Sequence, residues 1–168
     1  MKKVSLKWFP ILFVFAWGML VSGGQNGALE AQMNTLKQEC RELISGARYE
    51  GSKITYFSVM DKKQVKEIEI YTFLSNEYLF ALSTKNVSSP ITIKIFDAPK
   101  DAEKRILLKE FKKSKGENLS FSSVDLNNSY KSKNPKADRL KNLYIEYHVN
   151  AGKPSKEGVV FVYGSKSN

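Results

Sequence analysis

Glu67-Ile68-Glu69-Ile70 decides the fold, because carboxylate and isoleucine alternate there with a period of two. That period places the isoleucines on one face of a strand and the glutamates on the other. The pattern continues on both sides. Segments 54–59 and 65–74 are candidate strands separated by Met60-Asp61-Lys62-Lys63, and Ser75-Asn76-Glu77 turns into 78–83, where Tyr78, Phe80 and Leu82 share a face. Connections this short predict three consecutive antiparallel strands. Further along, Ile91, Ile93 and Ile95 alternate in 91–95, and Pro99 ends that run because proline cannot continue a central ladder. Segments 106–111 and 119–124 read as a weaker partner pair linked by 112–117. Segments 143–149 and 158–163 close the chain as two strong strands joined by 150–157. Residues 127–141, rich in Ser, Asn and Lys and containing Pro135, read as a surface loop.

One segment has the helical period instead. Leu29, Met33, Leu36, Cys40 and Leu43 recur at three- and four-residue steps within 28–45, and Gly46 follows as a stop. No second helical stretch is long enough for a parallel crossover. The expected fold is therefore mainly β: an antiparallel β-sandwich of about eight strands, jelly-roll or immunoglobulin-like, preceded by one amphipathic helix. A small barrel is the alternative.

The first two dozen residues have the three-part layout of a secretory leader. Lys2, Lys3 and Lys7 precede an apolar run from Trp8 to Val21, and Ser22, Gly23 and Gly24 follow. Fourteen helical residues reach about 21 Å, short of the roughly 30 Å hydrocarbon core, which argues against a permanent span. The expected division is a leader over 1–24, a helix over 25–48 and a sandwich over 49–168, with the mature chain exported to the periplasm or beyond. Cys40, the only cysteine, has no partner for an internal disulfide and falls on the apolar stripe, so it is expected to be buried.

Removing the three leader lysines lowers the net charge from +10 to +7. Between Lys100 and Lys141 twelve Lys or Arg stand against six Asp or Glu, so most of that excess lies in one quarter of the chain. Such a stretch attracts anions at long range. The candidate ligand-binding residues are Lys104, Arg105, Lys112, Lys113, Tyr130, Lys131 and Lys133, in two basic loops, 100–115 and 131–141. Tyr130 is the aromatic residue expected to be exposed. The expected partner is an anionic envelope component, lipid or polysaccharide, or another exported protein for which this chain acts as inhibitor or chaperone. Export argues against nucleic acid, and the chain is read as a monomer.

Catalytic chemistry has little to draw on. His148, the only histidine, shares a strand face with Tyr144 and Glu146, opposite Leu143, Ile145, Tyr147 and Val149. This face is read as an ordinary outward surface, and a hydrolase or transferase using His148 with Glu146 is the rival. Asp97, Asp101 and Glu103 share a turn region but match no calcium loop, and one His with one Cys falls short of a zinc site. Neither a glycine-rich phosphate loop nor a nucleophile elbow is present. No catalytic residue, metal or cofactor is assigned.

The succession Tyr78-Leu-Phe-Ala-Leu-Ser83, Ile91-Thr-Ile-Lys-Ile-Phe-Asp97, Leu143-Tyr-Ile-Glu-Tyr147 and Gly158-Val-Val-Phe161 resembles the exported bacterial pre-peptidase C-terminal type of β-sandwich. The likeness covers roughly residues 68–164 and departs at Lys141-Asn142-Leu143, where such modules usually place Gly-x-Tyr. It implies a non-catalytic binding or accessory domain and carries over no functional residues.

Overall fold

Met33, Leu36, Cys40 and Ile44 form the buried stripe of the first helix, α1 (Gly24–Leu43) and the turn that ends it. They pack on Ala81, Val160 and Val162 of a sheet. The computed structural model describes residues 24–72, 76–136 and 138–166, so the leader lies outside the described residues. The helix begins four residues before the expected Ala28. Its stripe ends on Ile44 rather than Leu43, which is 45% exposed. The last turn tightens into three-residue steps, with Ile44 N–H donating to Arg41 O and Ala47 N–H to Ile44 O. Gly158 lets the helix come close, since a Cβ there would lie 3.1 Å from Met33 Sδ. Lys85 and Asn118 both donate to Glu39 Oε2, at 2.5 and 2.8 Å, and lower its pKa while tying the helix to the sandwich.

Cys40 is fully buried, and the loss of hydration pushes its thiol up to about 12. The thiolate is the reactive form, so Cys40 is expected to resist iodoacetamide in the native protein and to react completely in denaturant. Mass spectrometry of the adduct checks this, and rapid native alkylation would contradict the burial.

Eight strands follow: β1 (Arg48–Val59), β2 (Gln64–Tyr71), β3 (Glu77–Ser83), β4 (Ile91–Phe96), β5 (Leu107–Ser114), β6 (Asn118–Ser122), β7 (Asn142–Val149) and β8 (Ser155–Lys166). They form two antiparallel four-stranded sheets, β1-β8-β3-β6 and β2-β7-β4-β5. This order is a jelly roll, in which the chain keeps crossing from one sheet to the other. It corrects the expected three-strand meander: β2 pairs with β7, while β1 and β3 flank β8. The turn at 60–63 passes between layers instead of closing a hairpin. The 106–111 and 119–124 segments are likewise not partners, because β5 pairs with β4 and β6 with β3. The expected alternation survives. Ile70, Ile91, Ile93, Ile95, Leu143, Ile145 and Tyr147 from one sheet meet Phe57, Phe80, Leu82, Phe121, Val159 and Phe161 from the other in one core.

The first half of the expected loop at 127–141 belongs to a second helix, α2 (Ser123–Lys133). Asp125 N–H donates to Ser122 Oγ and Ser122 N–H to Asp125 Oδ2, each at 3.2 Å, a capping box that satisfies two terminal donors. The Ser122-x-x-Asp125 signal stood in the sequence, but only Leu126 is fully buried on this helix and the polar composition masked the period. α2 covers one open side of the sandwich: Ser129 Oγ donates to Leu108 O at 2.8 Å, and Lys133 Nζ donates to Leu107 O. On the other side Gln64 Nε2 donates to Ser58 O and Lys53 Nζ to Glu69 O, both at 2.6 Å. Side chains thus satisfy some of the groups that edge strands leave open to pairing with other chains. Among the described residues no helix is long and apolar enough to cross a membrane.

Candidate functional site

Strand directions divide the surface loops between two ends. The β1–β2, β3–β4, β5–β6 and β7–β8 connections lie at one end, here the upper end, together with the start of α1. The β2–β3 and β4–β5 connections and the link from α2 to β7 lie at the lower end. The basic residues expected to act together are therefore split. Lys104 and Arg105 lie in the lower β4–β5 loop, whereas Lys112 and Lys113 stand at the end of β5, toward the upper end. Lys113 has φ 55°, the left-handed region, and sits within the irregular register between β4 and β5.

Three of the expected binding residues have structural duties. Lys133 is bonded to Leu107 O, and Tyr130 is half-buried against the core rather than exposed. Arg105 is the most committed. Its Nη1 lies 2.7 Å from Glu146 Oε1 and 3.9 Å from Glu67 Oε2, and its guanidinium stacks 3.9 Å from the Phe96 ring centroid. Lys104 and Lys131 remain exposed.

The Tyr144, Glu146 and His148 face is consequently not an ordinary outward surface. The Glu146 side chain is 3% exposed, because Arg105 lies over it. His148 Nε2 lies 2.7 Å from Glu146 Oε2, so the carboxylate is held from both sides. Burial alone would raise the Glu146 pKa, but the bonds from Arg105 and His148 outweigh it and hold the carboxyl below its ordinary value. Asp97, Asp101 and Glu103 form no metal site: among the described residues no three His, Cys, Asp or Glu side chains come together as ligands. Asp97 instead accepts from Ile106 N–H at 2.6 Å, closing the neck of the β4–β5 loop.

The lower end holds a cleft of about 520 Å³. Tyr130 and Asn134 line it from the end of α2, and Asn142 and Tyr144 from the start of β7. Lys136, Asp138, Arg139 and Lys141 come from the link between these elements, and Asp97 from the end of β4. Asn134 caps α2: its N–H makes the last helical bond, to Tyr130 O at 2.8 Å, and its non-helical backbone, φ −139° and ψ 81°, then turns the chain away from the helix beside the cleft. Tyr144 Oη donates to Glu69 Oε1 at 2.7 Å and Asn142 Nδ2 to the same oxygen at 3.0 Å. These bonds lower the Glu69 pKa and orient both cleft-lining side chains. Residues 131–141 were legible as basic, but the roles of Asp97, Asn142 and Tyr144 were not. They reach the cleft because Phe96 of β4 pairs with Tyr144 of β7, a register that spans half the domain in sequence. No family model matches the chain, and no curated protein does.

Proposed function

We propose that this chain is an exported, non-catalytic binding module of the bacterial cell envelope, and that its lower cleft takes an acidic saccharide. The observation that carries the reading is the convergence of Lys136, Arg139 and Lys141 on a cleft that Tyr130 and Tyr144 also line. Cations suit carboxylate or phosphate groups, aromatic side chains offer apolar area with a polar tip, and Asn134, Asn142 and Asp138 offer donors and acceptors for hydroxyls. The leader-like 1–24 segment and the resemblance to pre-peptidase C-terminal modules point the same way.

Polygalacturonate, with dextran as its neutral control, is a suitable probe for the full chain. Binding is expected to weaken as ionic strength rises from low to physiological, because exposed charges lose their reach as the Debye length shrinks. Lys136→Gln combined with Lys141→Gln is expected to cost roughly fivefold in affinity, from about 0.5 kcal/mol per exposed pair. Equal binding to dextran, or a response flat in salt, removes the reading.

A second reading rests on the 2.7 Å approach of His148 to Glu146, which brings an acid–base pair together. Loss of a hydrolytic or transfer activity in His148→Ala, with native folding retained, would favour it over the binding module.

A further inference from the structure

The upper end carries a second surface, remote from the cleft, that the proposed saccharide binding does not use. Met60 and Tyr56 are each 48% exposed beside the β1–β2 turn, while Val65, 47% exposed, lies past the same turn on the outer face of the opposite sheet. With Leu29 of α1, Met60 and Tyr56 flank a groove of about 750 Å³ whose lining also includes Lys66 and Lys156. Lys62 and Lys63 in the β1–β2 turn, Lys153 in the β7–β8 loop and Lys115 in the β5–β6 turn are exposed at the same end. The opposing carboxylates there are fewer. Asp61, Glu30 and Glu117 are exposed, while Glu157 is buried and accepts from Ser88 and Ser155.

The start of α1 gives this end a direction. Met33 abuts Gly158 near the beginning of β8, and Gly24 lies nine residues earlier, about 13 Å further along the helix axis. The chain before Gly24 thus joins the domain at the upper end, and in sequence it is the apolar run from Trp8 to Val21. Apolar side chains, lysines and the junction to an apolar segment therefore share one end of the molecule.

We propose that the upper end is a lipid-facing surface, with Met60 and Tyr56 at the headgroup boundary and Lys62, Lys63, Lys115 and Lys153 over anionic headgroups. Apolar residues at an interface and lysines near a negatively charged leaflet each contribute to such binding. While the leader is attached it holds this end at the bilayer. After processing, the lysines and Met60 keep it there, leaving the saccharide cleft pointing away from the membrane.

The full chain can be tested with an environment-sensitive fluorophore on Met60→Cys, since buried Cys40 stays unlabelled under native conditions. The label is expected to shift to the blue on vesicles of phosphatidylglycerol with phosphatidylcholine and to change far less on phosphatidylcholine alone. The same label on Lys136→Cys, in the cleft, is expected to stay unchanged on both. Lys62→Gln with Lys63→Gln lies in an exposed turn and should leave the near-ultraviolet circular dichroism native. It is expected to weaken partitioning to the anionic vesicles by on the order of tenfold or more. Equal shifts on neutral vesicles would assign the effect to the apolar segment and overturn the proposal, as would equal responses from positions 60 and 136. Unchanged partitioning of the lysine variant would also overturn it. Polygalacturonate binding by the same variant is expected to remain unaltered, so the two surfaces succeed or fail separately.

Discussion

Replacing Phe80 by Ala is expected to lower the stability of the domain by about 4 kcal/mol, the middle of the range for removing a buried phenyl ring. Phe80 is fully buried at the centre of the core. Its ring centroid lies 5.0 Å from that of Phe121, 5.9 Å from Phe161 and 6.1 Å from Tyr78, so one truncation removes three ring contacts as well as the transfer free energy of the ring. Phe80 lies on β3, whose neighbours β6 and β8 supply Phe121 and Phe161. The void would open where three strands meet, and backbone hydrogen bonds on both sides limit their collapse into it. A loss of this size corresponds to a fall of about 12 °C in Tm at roughly 3 °C per kcal/mol for a chain of this length. Tyr56→Ala, at a half-exposed site, is the matched control and should change stability by no more than about 0.5 kcal/mol. Thermal unfolding followed by circular dichroism checks both. Similar shifts in the two variants would mean that Phe80 does not occupy the core centre.

The second large effect lies on the outer face of the other sheet. Arg105→Ala is expected to cost about 2 kcal/mol at neutral pH, because it removes a charge-assisted bond to Glu146 and the packing of the guanidinium on Phe96, leaving the carboxylate to His148 and water. The figure lies below that for breaking a fully buried pair, since the Arg105 side chain is itself 26% exposed and its removal opens Glu146 to water.

The sign of the pH dependence follows from the lowered Glu146 pKa. In the native protein the contribution is fully present above the ordinary carboxylate value of 4.5 and is lost as pH falls through the lower folded value. Without Arg105 the carboxyl loses the strongest of the bonds that hold it down and its folded pKa moves up, so the variant loses less on acidification. The gap between the two proteins is therefore expected to narrow as pH falls from the variant's raised folded value through the lowered native one. Urea titrations at several pH values measure it. Arg105→Leu combined with Glu146→Leu is expected to recover much of the loss, because an apolar pair leaves no uncompensated charge. A gap constant with pH would show that Arg105 acts only through its packing on Phe96.

The same ion pair shows why the candidate site was only half legible. Nothing local to Arg105 distinguishes it from Lys104 or Lys112, and all three read as basic surface. Arg105 becomes a structural residue only because the β4–β5 loop returns over β7, bringing it onto a glutamate 41 positions away. Tyr130 follows a similar logic. Its lysine-rich surroundings read as loop, yet a capping box after the sixth strand winds them into α2 and turns the ring toward the core.

The amino-acid order alone determined which apolar side chains of the alternating strands face the core, that the first helix presents Met33, Leu36 and Cys40 to a partner, and that the layers are antiparallel sheets. These are properties of local periodicity, two residues per repeat in a strand and 3.6 in a helix, and they survive whatever the strand's neighbours are. Only the tertiary structure decided that β1 pairs with β8 and β2 with β7, that the basic residues divide between opposite ends, and that Glu146 is covered. Backbone N–H and C=O groups are alike at every residue, so pairing follows from how the two apolar faces close on one another across long stretches of chain.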